Sequence, residues 1–137
     1  MTKLVMLAML ALAACDPHLY QQSVAPPGRS ARLDEVTGFW GRLKHYRLEV
    51  SHGVALALTC SQAGPCEKMK VVSENPAIAE VRPASLQALE AIGLGRDQQP
   101  SAAFVVIGKA PGSTRLHVSA KEGSRDVVVT VIPPPAS

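Results

Sequence analysis

Ala103-Phe104-Val105-Val106-Ile107-Gly108-Lys109-Ala110-Pro111-Gly112-Ser113-Thr114-Arg115-Leu116-His117-Val118-Ser119-Ala120 carries the plainest structural signal in the chain. A short apolar run opens it. Lys109-Ala110-Pro111-Gly112 suits a turn, because proline presets φ and glycine accepts φ > 0. Leu116, Val118 and Ala120 then alternate with Arg115, His117 and Ser119, the period of a strand with one buried face. Two strands joined by a turn are thus predicted here.

The same grammar extends both ways. Downstream, Glu122-Gly123 turns, and Val127–Ile132 reads as a final strand ended by Pro133-Pro134-Pro135. Upstream, Ile78–Arg82 reads as a short strand stopped by Pro83, and Met69–Ser73 as another, broken by Asn75-Pro76. Val54, Leu56 and Leu58 alternate with Ala55, Ala57 and Thr59. Both faces are apolar, which predicts a central strand ending at Cys60. Tyr46, Leu48 and Val50 alternate with His45, Arg47 and Glu49, a half-buried strand. Short strands at this spacing predict an all-β antiparallel sandwich of about seven strands.

Three stretches fall outside that grammar. In Ala84–Pro100, Ser85 suits a helix cap and Leu86, Leu89 and Ile92 fall at spacing three, predicting a short inserted helix. Thr37-Gly38-Phe39-Trp40-Gly41 sets two large aromatics between glycines. Phe39 and Trp40 are candidate partner contacts, since tryptophan is enriched at binding hot spots; the alternative is a plug on the end of a small core. Residues 15–36 hold Pro17, Pro26, Pro27 and Gly28 without periodicity, which predicts a disordered tether, with a short helix at Ala31–Val36.

Residues 46–132 resemble a bacterial Ig-like domain of group 2. The carriers are Gly53-x-x-Leu56-x-Leu58, then Ser73-Glu74-Asn75-Pro76-Ala77-Ile78-Ala79-Glu80-Val81, then Gly108-Lys109-Ala110-Pro111-Gly112-Ser113-Thr114-Arg115-Leu116, in the family's order. The resemblance implies an Ig-like β-sandwich over 37–137, with its core at 46–132. It departs from the family at Ala84–Pro100, which is inserted, and at the Cys60/Cys66 pair.

At the other end, Lys3 precedes a short apolar run, Leu4–Leu12, too short for a membrane-spanning helix. Leu12-Ala13-Ala14-Cys15 resembles the lipobox of bacterial lipoproteins: an aliphatic residue, two small ones and cysteine. The resemblance implies that residues 1–14 are a cleaved signal helix and that Cys15 carries acyl chains such as palmitate. Two or three chains make a stable anchor where one is marginal. Asp16 resembles the inner-membrane retention signal of enterobacterial lipoproteins, which leaves the choice of membrane open. Residues 15–36 would then form a lipidated tether, whose aperiodic stretch of about 15 residues, Asp16–Ser30, reaches at most about 50 Å extended. The resemblance places the protein in the bacterial cell envelope, at the periplasmic side of either membrane or at the cell surface.

That assignment changes the reading of the cysteines. There are three. With Cys15 acylated, Cys60 and Cys66 remain in an oxidising compartment, where a structural disulfide is favoured over free thiols, and both over metal or redox chemistry.

The chain has 137 residues and a net charge of +3, with its basic residues scattered, so no nucleic-acid partner is expected. None of the four histidines has a ligand spacing such as His-x-x-x-His, and no metal or cofactor is expected. His45 and His117 fall on outward strand faces. No Gly-x-Ser-x-Gly elbow or phosphate loop occurs, and the carboxylates cannot be joined without the strand pairing. The expectation is a non-catalytic envelope lipoprotein, a binding or bracing module for adhesion or scaffolding with an envelope protein or glycan as partner. The alternative is a periplasmic inhibitor or accessory subunit of an envelope enzyme or assembly complex. Oligomeric state is not legible.

Overall fold

The computed structural model describes residues 17–37, 44–62, 64–85, 102–121 and 123–134. They form nine strands: β1 (His18–Gln21), β2 (Ala31–Thr37), β3 (Lys44–Ser51), β4 (Ala55–Ser61), β5 (Lys70–Ser73), β6 (Ala79–Ser85), β7 (Ala102–Gly108), β8 (Gly112–Ala120) and β9 (Gly123–Ile132). One sheet has the order β1-β4-β7-β6 and the other β2-β3-β9-β8-β5. The expected all-β sandwich is present, and the described residues contain no helix.

Alternation built the core. In the five-stranded sheet, Leu33, Leu48, Val129 and Thr114 align in one row, and Tyr46, Val127 and Leu116 in the next. Facing them, Leu58 pairs with Phe104, and Leu56 with Val106, which pairs in turn with Val81. Leu48, Leu56, Leu58, Val106, Leu116 and Val129 are fully buried, and Phe104 is nearly so. Each such side chain stabilises the fold by roughly 1.5–3 kcal/mol through its removal from water. β4 is flanked by β1 and β7, the central place expected of it, although on its second face Ala55 is exposed and Ala57 half-buried. Gly108 lets the sheets close on each other: a Cβ there would lie 2.9 Å from the Ser51 carbonyl oxygen and 3.1 Å from Val131 Cγ1.

Several expectations are corrected. The antiparallel rule fails at one seam, where β3 and β9 run parallel in register from Tyr46↔Val127 to Ser51↔Ile132. These strands are far apart in sequence, and only a tight hairpin obliges neighbours to be antiparallel. Pro83 does not stop its strand, which continues to Ser85. β6 is an edge strand, where proline's missing N–H removes no bond the sheet needs.

The largest correction concerns residues 15–36, expected as a disordered tether with a helix at 31–36. β1 pairs with β4 from His18↔Ser61 to Gln21↔Leu58, and β2 pairs with β3 along its whole length. The Ala31–Val36 segment is therefore strand. A short segment gains more from a ready-made sheet edge than from an isolated helical turn, whose nucleation is unfavourable. The Gln21 carboxamide joins the two added strands. It accepts from the Leu33 N–H at 3.1 Å and donates to the Ala31 carbonyl at 3.0 Å, as a neighbouring strand's backbone would. The residues between β1 and β2 are also fastened. Gln22 N–H donates to the Ala57 carbonyl at 2.9 Å, and Ala57 N–H to Ser23 Oγ at 3.0 Å.

Candidate functional site

The two ends of the sandwich differ. At one end, short backbone contacts close the turns: Gly53 N–H donates to the Gly108 carbonyl, His52 N–H to Ile132 and Ser51 N–H to Ser30, each at 2.8 Å. The other end gathers nearly every feature the sequence singled out. β1 begins there, β4 ends there at the disulfide, and the paired positions Ser85↔Ala102 and Thr37↔Lys44 lie at it. The insertion and the segment with Phe39 and Trp40 thus leave and rejoin the sheets at this end. Phe39, Trp40 and residues 86–100 lie outside the described residues. Ala84 and Ser85, expected to begin the inserted helix, close β6 instead.

Cys60 and Cys66 are bonded, with their Cα atoms 5.4 Å apart. Cys60 is 1% exposed and Cys66 6%, and both belong to the core cluster. The bridge is therefore packed as well as covalent. Cys66 N–H donates to the Cys60 carbonyl at 3.2 Å, which folds the intervening loop back on β4. Lys121, just past β8, ties its own turn to this loop: its N–H donates to the Glu67 carbonyl at 2.9 Å, and its Nζ lies 3.4 Å from Glu67 Oε2.

The chain reaches this end along β1. Pro17 is fully buried and Leu19 is 4% exposed. Leu19 N–H donates to the Tyr46 hydroxyl at 3.1 Å, linking β1 of one sheet to β3 of the other. Burial of Tyr46 is the main cause that raises its pKa and so favours the neutral phenol, whose oxygen accepts this bond. Arg125 holds its guanidinium carbon 6.0 Å from the centre of the Tyr46 ring. Cys15, the expected lipid site, lies outside the described residues, as does Asp16.

One polar cluster was illegible in the sequence. His117 on β8 meets Asp126 on β9 at 2.6 Å through Nδ1 and Glu74, just beyond β5, at 2.9 Å through Nε2. His117 and Asp126 are direct cross-strand partners. The hydrogen bond to Asp126, and next the one to Glu74, raise the His117 pKa. Each nitrogen of the imidazole faces a carboxylate, which favours the protonated ring, and the imidazole links β8 and β9 to the residue that follows β5. It has no free nitrogen to act as a base toward a substrate. The cluster is exposed on a sheet face, and among the described residues no group of three such side chains is arranged to hold a metal ion. His18 and His52 are exposed, and His45 is half-buried.

No protein-family model matches the chain, and no curated protein matches it. Among solved structures it is similar to fragments of the S-layer protein SbsC. Domains 4 and 5 align with a TM-score of 0.43 and 18% identity, over 84% of this chain and 54% of that one. Domains 5–6 give 0.41 and 19%, over 84% and 45%. Domains 4–9 give 0.43 and 19%, over 91% and 23%. The chain thus spans about half the length of these fragments or less.

Proposed function

We propose that this protein is a lipid-anchored module of the bacterial envelope, acylated on Cys15, whose Ig-like sandwich binds or braces an envelope component without catalysis. The observation that carries this reading is the Cys60–Cys66 disulfide. A structural disulfide belongs to an oxidising compartment, and the lipobox-like Leu12-Ala13-Ala14-Cys15 supplies the route to one. The two features are independent in sequence and agree in address. The sandwich itself supports a display role, because its buried side chains are committed to the core and its one histidine cluster is internally satisfied.

Fractionation and mass spectrometry test it. The N-terminal peptide of the processed protein should begin at Cys15 and carry the mass of a diacylglyceryl group. Cys15→Ala should release the protein into the soluble fraction. A Cys15→Ala variant that still needs detergent for extraction would overturn the anchor. Pull-down from solubilised envelope then identifies the partner. A single stoichiometric enzyme would make the protein its inhibitor or accessory subunit, in place of an adhesive or bracing role.

A further inference from the structure

The burial of Pro17 bears on the geometry of the anchor. A cysteine at position 15 is separated from the first buried residue of the sandwich by Asp16 alone. Two Cα–Cα steps span at most about 8 Å, against the roughly 50 Å of an extended tether of about 15 residues. Pro17 cannot easily peel away to lengthen the spacer. β1 is paired with β4, its Leu19 amide is bonded across the sheets to Tyr46, and Gln21 is bonded to β2.

We infer that the end of the sandwich holding the disulfide loop and the β8–β9 turn is apposed to the phospholipid headgroups, with the strands running away from the membrane. This rests on the proposed acylation of Cys15. The chain leaves the anchor through Pro17 directly into β1, so the long axis of the sheets points outward. His18, Glu67, Lys68 and Lys121 are exposed at the apposed end. The opposite end, with His52 and Gly53, is held further out by the length of β3, about 27 Å. The distal end and the described sheet faces are therefore the surfaces held away from the lipid.

The acylated full-length protein, reconstituted in phosphatidylethanolamine–phosphatidylglycerol vesicles containing headgroup-nitroxide lipid, tests the orientation. A fluorophore is placed at Lys121→Cys or at His52→Cys, labelled without reductant. We expect quenching at position 121 to exceed that at position 52 several-fold. Inserting about ten Gly/Ser residues between Asp16 and Pro17 should erase most of that difference while vesicle binding persists. Equal quenching at the two positions on vesicle-bound, acylated protein would overturn the orientation and leave the anchor standing. Protein found off the vesicles with an unmodified Cys15 would overturn the anchor, and this inference with it.

Discussion

The Leu19 amide and the Tyr46 hydroxyl, 3.1 Å apart, join the first strand of one sheet to a buried tyrosine of the other. Tyr46 is 3% exposed and Leu19 4%, so neither group has water as a substitute partner. Tyr46→Phe keeps the ring and removes the acceptor. We expect it to cost about 1–3 kcal/mol, the penalty of a buried donor left unsatisfied. Urea unfolding with an unchanged m-value measures it; a loss well below that range would mean the amide finds another partner.

His117 makes stability depend on pH. Its folded pKa is raised above the ordinary imidazole value by Asp126 and then Glu74. The folded state therefore binds the proton more tightly than the unfolded chain. The clasp contributes fully below about pH 6.5 and is lost as pH rises through the raised folded value. His117→Asn should flatten thermal stability across that window. An NMR titration of the imidazole should place its midpoint above the ordinary imidazole value.

Reduction of the Cys60–Cys66 bridge, with its sequence separation of 6, should destabilise the domain by about 2 kcal/mol on the chain-entropy estimate. The Cys60→Ala, Cys66→Ala double variant adds the loss of two buried side chains and should fall further. Non-reducing tryptic digestion should yield a single peptide holding both cysteines, lighter by two hydrogens than its reduced form, and no alkylatable thiol at either position.

What could be read from the sequence follows from where the information lies. β3, β4 and β7 to β9 carry alternation or apolar runs long enough to announce themselves, and the Ala55/Ala57 face of β4 told its central place. β1 and β2 did not. Each offers few inward apolar residues, Leu19 in one and Leu33 in the other, among prolines and polar residues that read as tether. Their stability comes from long-range pairing and from the Gln21 carboxamide, neither of which leaves a local period. The His117 cluster was hidden for the same reason: Glu74 is 43 residues away and meets His117 only through the β5–β8–β9 register. Pro83 misled because edge and central strands differ in neighbours, which a single strand's sequence does not record.

The described sandwich begins at Pro17, with β1 and β2 paired to β4 and β3. Amide hydrogen exchange on the disulfide-bonded protein tests this pairing most directly. We expect Leu19, Gln22 and Leu33, bonded to Tyr46, Ala57 and Gln21, to exchange as slowly as the strand amides of β4. Exchange of residues 18–37 at unprotected rates, with residues 44–61 still protected, would contradict it and restore the flexible tether.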